Sequence, residues 1–274
     1  VKPGPWKFVL LLAAAMSGLV TGTSAASAAG PSPGRPDSGG RESAEPIGEQ
    51  RLQGRFVFEQ HCVPCHGRRG NGRGELAAGT IPRPRDFTRG LFKYRSTPSG
   101  FLPTDEDLLR TLRGGLAGTA MPAFTQLPEN DARAVVRYLK SLSPRWRNPS
   151  NHAASLRIPA VPEWMSDPVR REARAEVGRE LFGRACAPCH GPGGAGDGPA
   201  ATGLVDEWDQ PCPPRDLGRQ PLRSGTAPEA LHRTLMTGLD GTPMPSFKDS
   251  TTETERWDLV AFVLERRDSG AVGR

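Results

Sequence analysis

The chain has 274 residues, enough for two small domains, and its 36% hydrophobic and 6% aromatic content is lean for one large core. With 33 Gly and 28 Pro, small loop-rich units suit it better. The formal charge of +6 raises the question of nucleic acid, but no basic cluster with interleaved aromatics stands out, so nucleic acid is not an expected partner.

Lys2 and Lys7 precede an apolar run from Phe8 to Val20, and Ala26-Ser27-Ala28 offers a small-residue cleavage site. This pattern predicts a secretory signal over residues 1–28. The run is short of the about twenty residues a membrane span needs. Residues 29–46, rich in Pro, Gly and Ser, predict a flexible leader.

A helix is predicted from Glu49 to His61, ending on Cys62-Val63-Pro64-Cys65-His66. Thr104 with Asp107 resembles a capping box that opens a second helix, and Met121-Pro122-Ala123-Phe124 follows it. Val135, Tyr138, Leu139 and Leu142 form the apolar stripe of a third helix. A Pro-rich stretch, 144–167, then reads as a linker.

The same order returns after it. A helix predicted from Pro168 to Ala185 leads into Cys186-Ala187-Pro188-Cys189-His190. Thr226 with Glu229 resembles the second capping box, and Met244-Pro245-Ser246-Phe247 follows. Trp257, Val260, Ala261 and Leu264 repeat the last stripe. Gly54 and Phe58 match Gly178 and Phe182; Pro84-Arg85-Asp86 matches Pro214-Arg215-Asp216, after six extra residues around Cys212. The two halves, 47–143 and 168–268, are an internal duplication, with 269–274 as a tail.

Cys-x-x-Cys-His is the attachment signature of c-type haem, so two covalent haem c groups are expected. In each motif the two thiols add to the porphyrin vinyl groups, and His66 or His190 reaches the iron from one face. Met121 and Met244, recurring at equivalent places, are the expected thioether ligands on the other face. The expected metal ligands are therefore His66, Met121, His190 and Met244. A zinc site would need four converging ligands, and a redox dithiol would need a βαβ setting that is absent. Losing Lys2 and Lys7 with the signal, and gaining four propionates, would bring the reduced holoprotein close to neutral.

His61 and His232 have no counterparts in the other half and read as solvated. Met236 and Met165 read as packing residues. Cys212 reads as a lone thiol, with an alternative iron ligand or a substrate thiol as the sharper reading.

Taken together, these residues resemble the class I cytochrome c fold, twice over. The resemblance implies an all-α chain of two tandem helical domains, each wrapped around a covalent haem c. It implies that Gly54 and Phe58, or Gly178 and Phe182, cross Tyr138 or Phe262. It also implies that a proline carbonyl, from Pro84 or Pro214, accepts the Nδ1–H of the motif histidine. Arg85 and Arg215 would pair with propionates or with Asp86 and Asp216.

Such a chain is expected to be a periplasmic dihaem electron carrier, not an enzyme, docking transiently with a redox donor and a redox acceptor. A dihaem oxidoreductase of the thiosulfate dehydrogenase or peroxidase kind, or a subunit of a larger respiratory enzyme, are the alternatives. Membrane contact is expected only through an uncleaved signal anchor or a membrane-bound partner complex.

Overall fold

The computed structural model describes residues 47–272, which lie in one compact unit. The signal and leader expected over 1–46 fall outside the described residues.

Among the described residues eight α-helices carry the fold, four in each half. In the first half α1 is Ile47–His61, α2 Val63–His66, α3 Asp105–Gly114 and α4 Glu129–Ser141. In the second half α5 is Pro168–Ala185, α6 Ala187–His190, α7 Pro228–Thr237 and α8 Glu253–Val272. Among the described residues there is no strand, only an isolated bridge between Val205 and Pro211. The fold is all-α, as the sequence implies. Helix α8 runs through Val272, past the boundary expected at residue 268.

Each half is organised by one helix crossing, α1 on α4 and α5 on α8. The sequence explains why they approach so closely. A side-chain carbon on Gly54 would lie 2.0 Å from the Ala134 carbonyl oxygen, and one on Gly178 would lie 2.0 Å from that of Asp258. Only glycine leaves room for backbone to pass backbone there. One turn later an aromatic pair fills the crossing, Phe58 with Tyr138 at 5.2 Å and Phe182 with Phe262 at 4.8 Å. Around these pairs the predicted stripes are buried: Val135 and Tyr138 in one core, Trp257, Val260 and Ala261 in the other.

Helix starts follow local chemistry. The Thr104 hydroxyl accepts from the Asp107 amide while the Asp107 carboxylate accepts from the Thr104 amide, a complete capping box. Thr226 does not repeat this. Pro228, with its fixed φ, takes the first position of α7, so Ala227 becomes the cap and Thr226 falls one residue too early.

The 144–167 stretch is laid down as three 3₁₀ turns, with Trp146 packed on the first core and Met165 buried in the second. A polar seam joins the halves. Arg95, fully buried, places Nη2 2.7 Å from Asp240 Oδ1 and donates to the Thr237 carbonyl, while Lys93 pairs with Asp206.

Candidate functional site

Helix α1 hands over to α2 at Cys62, whose amide still bonds the Phe58 carbonyl while its own carbonyl accepts from the His66 amide at 2.8 Å. Cys62 and Cys65 are therefore three residues apart on a single turn, sharing a face, with His66 one position on. The second half repeats this turn, with Cys186 bonded back to Phe182 and accepting from the His190 amide at 2.8 Å.

The His66 ring is buried and stacks on Phe87 at 4.4 Å between centroids. Its Nδ1 lies 2.9 Å from the Arg85 carbonyl oxygen. A carbonyl only accepts, so Nδ1 carries the hydrogen and Nε2 keeps a lone pair. Burial lowers the His66 pKa, which holds the ring neutral. His190 has the same arrangement in looser form. Its Nδ1 is 3.4 Å from the Arg215 carbonyl, and Leu217 stands where Phe87 would stack. Burial lowers its pKa as well.

The acceptor is thus the residue after each proline, not Pro84 or Pro214 as the resemblance implied. Consecutive carbonyls of a non-helical segment diverge. The Pro84 oxygen faces Gly72, where a side-chain carbon would come within 2.5 Å, and the Pro214 oxygen faces Gly196 at the same distance. The next carbonyl then turns to the histidine.

The methionine loops also match. The Leu116 amide donates to the Met121 carbonyl and the Leu239 amide to the Met244 carbonyl, both at 3.1 Å. Thr119 and Thr242 accept from the two methionine amides through their hydroxyls.

Cys62, Cys65, His66, Pro84 and Met121 line one cavity of 1150 Å³, walled by apolar side chains such as Phe92, Leu112 and Val136. Residues of the second-half insertion also line it, with Cys212 and Pro214 among them. Cys186, Cys189, His190 and Met244 are not among its lining residues.

Cationic side chains crowd the same cavity. Arg85 is pushed down to about 10 by burial, and burial lowers Arg215 too. The Nε atoms of Arg215 and Arg223 are buried without a hydrogen-bond partner among the described residues. Arg215 crosses into the first half, with Nη2 3.2 Å from the place of a side-chain carbon on Gly118. The expected pairing of Arg85 and Arg215 with Asp86 and Asp216 does not occur. Those carboxylates instead accept from the Thr88, Gly218 and Arg219 amides and close turns.

A cavity of this size, apolar along its walls and bearing half-buried arginines without ion-pair partners among the described residues, fits a large flat cofactor with anionic ends. Thiolate chemistry fits less well. Burial pushes the Cys62 thiol up to about 12 and that of Cys186 to about 11, and among the described residues no three His, Cys, Asp or Glu converge as a metal-ion cage.

The family described as cytochrome C oxidase, cbb3-type, subunit III matches the chain twice, at residues 49–139 and 173–263. The chain belongs to this family. Both halves are cytochrome c domains, and the cofactors are two covalent haem c groups attached at Cys62/Cys65 and Cys186/Cys189.

Among individual proteins, cytochrome c oxidase subunit 2 of Alkalihalophilus pseudofirmus is 36% identical over 106 residues, 37% of this chain and 28% of that protein. A subunit of the nicotinate dehydrogenase of Pseudomonas putida is 25% identical over 225 residues, 75% of this chain and 17% of that protein. The chain thus spans under a third of the length of either relative. A chain of the Kuenenia stuttgartiensis reducing HAO-like protein complex superposes with a TM-score of 0.72 at 34% identity, over 78% of this chain and 95% of that one.

Cytochrome c domains imply haem-based electron transfer. Among the described residues no helix is long and apolar enough to cross a membrane.

Two features are not evident from the sequence. His232 is fully buried against Trp257, at 4.2 Å between rings, instead of facing solvent. Trp208 of the insertion carries Arg85 over its ring at 4.0 Å.

Proposed function

We propose that the protein is an exported, periplasmic electron carrier whose two haems are each held between a histidine and a methionine, His66 with Met121 and His190 with Met244. The observation that carries this reading is the repetition of the pinned methionine loop in both halves. A loop fixed at both its amide and its carbonyl presents the thioether with little freedom, which suits a closed iron site.

Haem c supplies an iron that takes up and gives back one electron. The rest falls to the chain. The carbonyls of Arg85 and Arg215 accept the Nδ1–H of the histidines, fixing the tautomer and leaving Nε2 as the ring's donor atom. Phe87 stacked on His66 stops that ring from turning. Arg85, Arg215 and Arg223 are placed to receive carboxylates. The apolar walls exclude water. The 2.9 Å bond in one half and the 3.4 Å bond in the other support unequal potentials.

Partners would be a redox donor and acceptor that dock over a small transient area. The similar proteins, two enzyme subunits and a chain of a redox complex, favour work beside a larger redox enzyme. Export follows from the signal pattern and from the extracytoplasmic attachment of c-type haem.

An anaerobic redox titration of the holoprotein, followed in the visible spectrum, tests the reading. Two reversible one-electron waves are expected, with no change when carbon monoxide is added to the reduced protein. Carbon monoxide binding to either haem would point to the dihaem oxidoreductase alternative instead.

A further inference from the structure

The two halves touch through their own repeated motifs. Arg85 and Arg215 hold equivalent places after the matched prolines, and Gly118 and Gly241 hold equivalent places three residues before each methionine. The Arg215 guanidinium lies against the first half's glycine, with Nη2 3.2 Å from the place of a side-chain carbon on Gly118. In the opposite direction Arg85 reaches the second half's glycine through one intermediate. Its guanidinium lies over the Trp208 ring at 4.0 Å, and that ring comes within 2.8 Å of the place of a side-chain carbon on Gly241. A contact made in both directions is what a two-fold interface produces. The extra residues of the second half account for the one difference, since they supply the indole that fills the space on that side.

Each contact falls on a point from which the methionine is set. Gly118 has φ +69° and Gly241 φ +76°, a left-handed turn that glycine adopts without strain. The next residue, Thr119 or Thr242, bonds back through its amide to the Leu116 or Leu239 carbonyl, at 3.1 and 3.0 Å. Its hydroxyl then accepts from the methionine amide. Little slack is left between the glycine and the thioether. On the second side the Glu207 amide also donates to the Gly241 carbonyl at 3.0 Å, and Arg89 of the first half donates to the Glu207 carbonyl.

The same two arginines serve the histidines of their own halves with a different atom, the backbone carbonyl. Their guanidiniums are available for a second task because Asp86 and Asp216 are occupied in their own turns. A guanidinium can stack by its face and donate by its edge, so pressing on a neighbouring loop is compatible with receiving a carboxylate.

We propose that Arg215, and Arg85 acting through Trp208, are positioning residues that brace the methionine loop of the opposite half. Each iron's thioether is then held in place by the other domain. This rests on the two-methionine reading above. A soft thioether is a weak ligand for ferric iron, so it stays bound only while its loop is held in the bound conformation.

Imidazole displaces a loosely held methionine from ferric haem, and loss of the far-red sulfur-to-iron band reports the displacement. In Met244→Ala only the first site carries the band, and in Met121→Ala only the second, so each site is read alone in the full-chain holoprotein. Adding Arg215→Ala to Met244→Ala is expected to lower the imidazole concentration that halves the band by about tenfold or more. Trp208→Leu added to Met121→Ala should do the same at the second site. Placed in Met121→Ala instead, Arg215→Ala should move the second site's midpoint far less, because the carbonyl that serves His190 is retained. Arg215→Lys, which keeps the charge and loses the flat group, should not restore the wild-type midpoint.

Midpoints that neither variant moves, or an Arg215→Ala effect that appears mainly in its own half, overturn the brace. Full recovery with Arg215→Lys overturns it too, since charge alone would then explain the effect. If Arg215→Ala takes up too little haem to be read, Trp208→Leu decides by the same criterion at the second site. A Met244→Ala protein without any far-red band would instead sink the two-methionine reading, and the brace with it.

Discussion

The Arg85 guanidinium sits over the Trp208 ring at 4.0 Å, so the loop whose carbonyl orients His66 is clamped by a side chain from the other half. Trp208 in turn rests on Gly241, with its ring 2.8 Å from where a side-chain carbon would begin. One indole thereby ties the first histidine's support to the second methionine loop. Trp208→Ala removes both contacts and is expected to lower stability by about 3 kcal/mol, from lost packing plus a desolvated cation–π pair. Chemical denaturation of the holoprotein measures it; a loss below about 0.5 kcal/mol would mean that the clamp is incidental.

Arg95 and Asp240 are expected to control whether the halves unfold together. Asp240 also accepts from the Ser99 hydroxyl and the Gly100 amide, so it gathers three first-half donors. Burial lowers the Arg95 pKa, and the carboxylate works against that shift. Asp240→Ala leaves the guanidinium buried without its counter-ion, at a cost of about 3–5 kcal/mol. Calorimetry should show one transition in the wild type splitting into two in the variant.

His232 predicts an acid-sensitive loss of stability. Burial, then nearby Arg256, lowers its pKa to about 4 against a smaller opposing contribution from the Glu253 backbone. An unfolded histidine titrates near 6.5, so the unfolded chain takes the proton first. The stability from keeping the ring neutral is complete above about pH 6.5 and is lost as pH falls from there to about 4. The loss is on the order of 2–3 kcal/mol. His232→Leu, which copies Leu109 of the first half, should remove this portion of the acid dependence. An unchanged pH profile in that variant would refute the assignment.

Two glycines separate close approach from idle flexibility. Gly54→Ala drives a methyl into the Ala134 carbonyl and should cost about 2–3 kcal/mol, with partial loss of haem incorporation. Gly183 lies on α5 with nothing within 4 Å of the added carbon, so Gly183→Ala should stabilise by about 0.5–1 kcal/mol. Thermal melts of the two variants should move in opposite directions.

Much of this is legible in the chain because its signals are local and occur twice. The Cys-x-x-Cys-His turn, the Gly54–Phe58 spacing and the Thr104 cap each depend on residues within a few positions. Duplication then separates pattern from accident. The misses share a different cause. Choosing Arg85 over Pro84 as the acceptor depends on which way one carbonyl turns, and residue type does not encode that. The burial of His232 is hidden because its helix face is decided by Trp257, a partner on another helix. Arg95 and Asp240 are remote in sequence, and Ala117 stands where the first half would repeat Asp240. The Thr226 cap fails for a local reason that is visible in the sequence: a proline two positions on has already claimed the start of the helix.

The central claim is that both irons are closed by a methionine. The most direct measurement is the far-red sulfur-to-iron charge-transfer band of the ferric holoprotein, recorded for the wild type, Met121→Ala and Met244→Ala. The account predicts a band of two-haem intensity in the wild type and about half of it in each variant, with carbon monoxide binding gained by one haem only. A wild type without the band, or a variant that keeps its full intensity, would contradict it.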